Sequence, residues 1–433
     1  MGKGRDILYA AGLTVTAPVW GWKLLRTGKW KTDWAGRLGH GWDFITVADE
    51  TAGEQRILIH AVSVGEVSLI RGLVDELARR EPALRIIIAS TTNTGFARAT
   101  SLYGEKHAVI RYPFDFSGAV AGVLDAIKPD VFVTVELEVW PNFVDACEER
   151  NIPVAVVNGR LSERSYKGYR RFKRFIGPTF AKLSKVAAQT QDYADRFVGM
   201  GVPADRVSVL DTMKWDTAVI EPAEAVAGAE QLAAELGIDR SKKLIVAGST
   251  SPGEEKLLIE TCPADAQLLI APRKPEWFDA VMKAAPDAVR RTSGIAAEPG
   301  AGQRVFLLDT IGELRRAYAL ADVCIVGRSF MGDLYGSDMM EPIALGKPTL
   351  IGPHHADFAD TMTALTEADG IVVTDTPGPE AARLLADPER AQQIANRGRE
   401  VIRSRRGSTQ RHADMILGML EGSRATTDQE PDD

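Results

Sequence analysis

Short apolar runs recur along the chain, separated by longer stretches in which apolar residues return every three or four positions. In the first half the runs cover 56–60, 84–90, 107–112, 130–136, 153–157, 184–189 and 206–210. In the second half they cover 243–247, 267–271, 304–308, 322–326, 347–351 and 370–374. Most are apolar throughout rather than alternating, as expected of parallel strands covered on both faces. Stretches such as 68–80 and 391–403 carry the amphipathic period of covering helices. Strand and helix alternate, so the pattern predicts an α/β fold.

One device occurs twice. The run Arg56-Ile-Leu-Ile-His60 leads into Ser63-Val-Gly-Glu66, and Lys243-Leu-Ile-Val-Ala247 leads into Gly248-Ser-Thr-Ser251-Pro-Gly-Glu254. Each reads as a buried strand, a small-residue loop and a helix opening on Glu. That is the form of a ligand crevice at the carboxyl end of a parallel sheet. Its repetition predicts two Rossmann-like domains whose sheets face a central cleft. The break falls near Asp211 to Pro222, before an Ala/Glu-rich helix over 223–236. The predicted domains are therefore 36–215 and 216–405. A C-terminal helix over 406–425 and a polar, acidic, disordered tail over 426–433 follow.

Residues 1–35 are expected to be a membrane-associated segment. Ile7 to Trp22 is mostly apolar, and Lys23, Arg26, Lys29 and Lys31 follow, with Trp30 and Trp34 among them. The apolar part, about 16 residues, is shorter than the ~20 needed to span a bilayer. Aromatics beside a basic run suit an interfacial helix near anionic headgroups. A helix packed on the protein's own core and a signal peptide are the alternatives.

The 433 residues are 45% hydrophobic and 26% charged, ordinary for a globular protein, with a net charge of −7. That charge gives no reason to expect nucleic acid as a partner. Cys147, Cys262 and Cys324 form neither a disulfide framework nor a CxxC metal site.

Six segments could carry chemistry. Glu66, after Ser63 and Gly65, could be a general base or simply cap its helix. The Gly248–Gly253 loop, with Ser249 and Thr250, could cradle an anion at a helix start or be a tight βα turn. Arg273 and Lys274 suit a phosphate or carboxylate, or form a surface cation pair. Glu136 and Glu138 alternate onto one side of a strand end, where they could bind acceptor hydroxyls, supply a second base, or simply cap a helix and form one buried ion pair. Arg160 and Arg164 begin a basic and aromatic run, Asn158 to Arg174, suited to acceptor phosphates or a membrane surface, or to a solvated helix face. Gly327-Arg-Ser329, Tyr335-Gly-Ser-Asp338 and Glu341 form a loop able to meet phosphate and ribose, or an ordinary Gly/Pro-punctuated βα loop. His354, His355 and Asp357 are a poor metal set, and no metal or other cofactor is expected.

Taken together, these segments resemble the 3-deoxy-D-manno-octulosonic acid (Kdo) transferases of lipopolysaccharide synthesis over about residues 5–420. The carriers are His60–Glu66, Glu136-Leu-Glu-Val-Trp-Pro-Asn142, Asn158-Gly-Arg-Leu-Ser162, Ala247–Glu255, Ala271-Pro-Arg-Lys-Pro-Glu276, Asp309-Thr-Ile-Gly-Glu-Leu314 and Glu341-Pro342. The resemblance implies the two-domain GT-B architecture, CMP-Kdo as donor and a lipid A precursor as acceptor. It implies an anchor on the cytoplasmic face of the inner membrane. By that likeness Glu66 is the base, with Ser63, Gly65, Glu136, Glu138, Arg160 and Arg164 on the acceptor side. Ser249, Thr250, Arg273, Lys274, Gly312, Glu313, Ser329, Asp338 and Glu341 fall in the CMP-binding region. The chain departs from the family at Ser251 and Lys274, where His is usual. It has Tyr335-Gly-Ser-Asp338 for Gly-Gly-His-Asn, and Asp357 for Asn. A transferase with another nucleotide sugar, and a non-catalytic membrane-associated binder, are the competing readings.

Overall fold

The computed structural model describes residues 4–7, 9–11, 14, 16, 26, 32–40, 54–298, 302–332 and 334–427. The chain divides into two compact units, one running to Thr217 and resuming at Gly407, the other Ala218–Arg406. Each is built on a seven-stranded sheet in which every pairing is parallel.

The first sheet comprises β1 (Arg56–His60), β2 (Arg85–Ser90), β3 (Ala108–Arg111), β4 (Val131–Val135), β5 (Val154–Gly159), β6 (Lys185–Ala188) and β7 (Val207–Val209), in the order β3-β2-β1-β4-β5-β6-β7. The second comprises β8 (Leu244–Thr250), β9 (Gln267–Pro272), β10 (Val289–Arg290), β11 (Val305–Leu307), β12 (Val323–Val326), β13 (Thr349–Ile351) and β14 (Val372–Val373), in the order β10-β11-β9-β8-β12-β13-β14. Every apolar run became a strand. The two-residue β10 was missed, because two half-buried residues carry no apolar run.

Continuous apolar strands bury both faces, and each sheet has an apolar cluster on either side. Leu58, Phe132 and Val156 point to one face of the first sheet, and Ile57, Val133 and Val157 to the other. Ile245, Leu268 and Ile325 against Val246, Leu269 and Cys324 do the same in the second. The C-terminal helix Ser408–Thr427 belongs to the first unit. It buries Ala413, Ile416 and Leu420 in that unit's core. Asp216 caps its start, accepting the Gly407 and Thr409 N–H groups at 2.7 and 2.6 Å. The helix runs to Thr427, so it takes in the first two residues of the tail expected to be disordered. The rest of that tail lies outside the described residues.

Most of segment 1–35 also lies outside them. The part described is tied to the first unit by polar contacts. Tyr9 donates to the buried Asp115 at 2.9 Å, the Asp6 carboxylate accepts from Asn142 at 2.9 Å, and Arg5 pairs with Asp145. Among the described residues no helix is long and apolar enough to cross a membrane.

Candidate functional site

In both sheets the strand order reverses between two neighbours, β1 and β4 in the first and β8 and β12 in the second. Loops leaving such a pair diverge to opposite faces and open a crevice at the carboxyl ends of the strands. The repeated device follows β1 and β8, and the Glu136 and Arg328 loops follow their partners. Glu136, Asn158, Ser249 and Arg328 all take left-handed backbone angles, with φ of 59°, 52°, 57° and 60°. Each such residue costs about 1–3 kcal/mol, and such strain concentrates at functional edges.

In the first unit Ser63 caps the helix Val64–Leu69, accepting the Glu66 N–H at 3.3 Å. The Glu66 carboxylate returns to the same turn. It accepts the Ser63 hydroxyl at 2.8 Å and the Val62 N–H at 3.0 Å. This is a variant of the capping box, with the acid bonding the cap's hydroxyl and the amide before it, so the structural role expected of an acid at this position is real. Glu66 nonetheless stays half-exposed, and each oxygen keeps lone pairs beyond the bond it accepts. Gly65 is exposed beside it.

Glu136 and Glu138 lie in the electrostatic range of Glu66. Burial pushes the Glu136 carboxyl up and the Glu66 charge adds to it, while Arg160 and Lys214 oppose. Glu138 is also raised by burial, with Glu66 and Glu136 adding and a 2.8 Å bond from the Trp140 indole opposing. Three carboxylates and two cations thus form one cluster at the switch point. Arg164 is exposed on the helix Glu163–Arg171, which buries no residue.

Lys214 was not singled out in the sequence. It is placed by Asn158, whose Oδ1 accepts the N–H of the preceding Met213 at 3.1 Å. The Asn158 N–H donates to His412 Nε2 at 3.0 Å, so the C-terminal helix braces the cluster. Burial drives the His412 pKa down to about 4, so the ring is neutral and accepts that bond. A Lys opening a four-residue helix and an Asn near the end of a strand carry no periodic signal, and this juxtaposition is made by the tertiary fold.

In the second unit Arg273 is exposed, and its N–H ties the loop after β9 to the Thr250 carbonyl at 3.0 Å. Lys274 pairs with Glu276 at 3.3 Å and sits over the Trp277 ring. Asp338 accepts the Met340 N–H at 2.9 Å, and Glu341 lies 3.9 Å from Arg315. Burial raises the Glu341 carboxyl; Arg315 opposes and Asp338 adds. Burial raises the Tyr318 hydroxyl, with the charges of Glu341 and Asp338 adding and that of Arg273 opposing. Gly248 is a glycine because that hydroxyl packs on it: a Cβ there would lie 2.1 Å from Tyr318 Oη.

Other expected donor residues are turned to internal bonds. Thr250 is buried with its hydroxyl on Glu255 at 3.0 Å, and Ser249 is nearly buried. Ser329 is fully buried, its hydroxyl donating to the Val326 carbonyl at 2.6 Å and accepting the Gly352 N–H at 2.8 Å. Glu313 receives the Thr310 hydroxyl and pairs with Arg316 and Arg291. Burial would raise its carboxyl, but these partners outweigh it and hold it low. Gly312 is exposed at φ 93°. Among the described residues no three His, Cys, Asp or Glu side chains come together to hold a metal ion.

The chain superposes on a glycosyltransferase from Rickettsia africae with a TM-score of 0.57 at 13% identity, covering 85% of this chain and 99% of that one. Two parallel-sheet α/β units of this kind are the fold of the GT-B glycosyltransferases. The family model described as 3-deoxy-D-manno-octulosonic-acid transferase (kdotransferase) matches residues 32–217. The 3-deoxy-D-manno-octulosonic acid transferase of Bordetella pertussis is 31% identical over 448 aligned positions, 97% of this chain and 100% of that protein. The transferase of the same description from Haemophilus influenzae is 29% identical over 85% of this chain and 88% of its own length. The chain belongs to the Kdo transferase family.

Proposed function

We propose that the protein transfers Kdo from CMP-Kdo to a hydroxyl of a lipid A precursor, inverting the anomeric carbon. Family membership supports the sugar. The observation that carries the reaction is Glu66, held by its capping box beside Glu136 and Glu138 at the switch point of the first sheet.

Glu66 takes the proton of the acceptor hydroxyl as that oxygen bonds to the anomeric carbon. The bond from that carbon to the CMP phosphate oxygen breaks, and CMP leaves with the electron pair. Ser63 and the Val62 N–H aim the base. Arg160 and Lys214 temper the negative cluster and suit the acidic groups of the substrates, with Arg164 further along the same run. In the second unit Arg273 balances the charge growing on the phosphate. Asp338 and Glu341 accept ribose hydroxyls. Asp338 is better suited to that role than to a phosphate, which its charge would repel.

A lipid acceptor calls for a membrane-facing surface, and an exposed patch on the first unit supports one. Arg164, Lys167, Arg170, Arg171, Lys173 and Arg174 are exposed, with Phe172 and Phe175 at 60% and 75% exposure among them. Cations with outward aromatics match an anionic headgroup layer. With the apolar and basic segment 1–35, this patch supports a place on the cytoplasmic face of the inner membrane.

Incubation with CMP-Kdo and a tetra-acylated lipid A precursor should release CMP and add the mass of a Kdo residue to the lipid. No addition from CMP-Kdo, with addition from a UDP- or GDP-sugar, would reassign the donor.

A further inference from the structure

Glu254 opens the helix Glu254–Thr261 and is completely buried. Four backbone N–H groups close on its carboxylate. Ser251 and Arg328 donate to Oε2 at 2.9 and 2.7 Å, and Ser329 and Phe330 donate to Oε1 at 2.8 and 2.9 Å. Two donors on each oxygen use most of a carboxylate's accepting capacity.

Arg328, Ser329 and Phe330 are consecutive, and Arg328 sits at φ 60°. Successive amides turned inward by a left-handed residue make an anion nest. In phosphate-binding loops such a nest faces the ligand; here the chain's own carboxylate fills it. These three amides are therefore engaged, and the loop after β12 is held against the loop after β8. Those are the two strands of the switch point. The fixed frame extends further: the Ser329 hydroxyl accepts from Gly352 after β13, and the Arg273 N–H joins the loop after β9 to Thr250. One buried acid thus sets the mutual placement of the loops that carry Arg273, Asp338 and Glu341.

We propose that Glu254 is a positioning residue for the donor: by filling the Arg328–Phe330 nest it holds the loops after β8 and β12 in the arrangement that binds the sugar nucleotide. This rests on the reading that the second unit binds the nucleotide.

Glu254→Gln keeps the volume but turns an NH2 toward two N–H groups. Losing hydrogen bonds to a charged group should weaken CMP binding and raise the donor KM about ten- to hundredfold. The acceptor KM should be unchanged and kcat should stay within about threefold. Glu254→Ala leaves four amides around a carboxylate-sized space, and formate, but not formamide, should restore CMP affinity. A Glu254→Gln protein with a lower melting temperature but wild-type CMP affinity would overturn the proposal. Where Glu254→Gln does not fold, Glu254→Ala decides, and CMP affinity indifferent to formate overturns it. A wild-type protein that binds UDP or GDP but not CMP overturns the donor reading alone, and the same comparison is then made on that nucleotide. A wild-type protein that binds none of the three overturns both.

Discussion

Replacing Glu66 by Gln separates the observed capping role of its carboxylate from the proposed role as base. As a cap, the side chain accepts the Val62 N–H at 3.0 Å and the Ser63 hydroxyl at 2.8 Å. A Gln carbonyl can still accept from Val62, and its NH2 can donate to Ser63 Oγ. Gln is tolerated in a capping box, so the loss of stability should be about 1 kcal/mol. As a base, the side chain loses its proton-accepting oxygen altogether. General-base catalysis contributes about 10²–10⁴ in rate, or about 3–5 kcal/mol of barrier. The variant should therefore melt within a few degrees of the wild type and turn over at least about a hundredfold more slowly. Initial rates of CMP release at saturating donor, with calorimetry on the same sample, check both. The Glu66 charge also helps hold the Glu136 and Glu138 carboxyls up, so both should titrate lower in the variant, visible by carbon NMR. A folded Glu66→Gln protein within about tenfold of wild-type turnover would refute the assignment of the base.

Three other outcomes are expected. Burial raises Asp115 from its ordinary 3.8 to about 6, outweighing the bonds it accepts from Asn142, Tyr9 and Phe143. A raised acid binds its proton more tightly when folded, so its stabilisation is complete below the unfolded pKa and is lost as pH rises through about 6. The span is on the order of 3 kcal/mol. Urea unfolding from pH 4 to 7 should show this slope in the wild type and not in Asp115→Asn, and equal slopes would remove Asp115 as its source. Gly248→Ala drives a Cβ to 2.1 Å from Tyr318 Oη and 2.9 Å from Leu314 Cδ1, which should cost about 1–3 kcal/mol and weaken CMP binding. Tyr318→Phe, which deletes a buried hydroxyl with no hydrogen-bond partner among the described residues, should be neutral alone and relieve part of that cost; no relief would contradict the packing argument. Exchanging Phe172 and Phe175 for Ser should lower sedimentation with anionic vesicles at least about tenfold and leave CMP binding intact. Unchanged sedimentation would clear the patch of a membrane role.

The catalytic reading stands on crowding of like charge at the edge of one sheet. Glu66 comes from β1, Glu136 and Glu138 from β4, Arg160 from β5, and Lys214 from the last segment before the chain enters the second unit. Only a fold with β1 beside β4 brings them together, because the order reversal makes neighbours of strands separated by four helices and two other strands.

The alternation of apolar runs with amphipathic stretches was enough to decide the two parallel α/β units. Parallel strands need both faces covered, and such cover gives continuous apolar runs alternating with amphipathic helices. The same pattern placed Glu66 at a helix start and Glu136 at a strand end, since hydrophobic periodicity marks where elements stop. It could not show that Glu66 caps its own turn while standing among other acids. It could not show that Ser329 and Thr250 face inward, or that Glu254 rather than a ligand fills the nest after β12. Hydrogen-bond direction at a loop depends on which neighbour the topology delivers, and the neighbours of these residues lie from a few to about 80 positions away along the chain. Lys214 and His412 carried no local signal at all, and Asn158 stood out only as the head of the basic run and of the Asn158–Ser162 motif. Their meeting was decided when the final helix returned to the first sheet and buried its apolar stripe there.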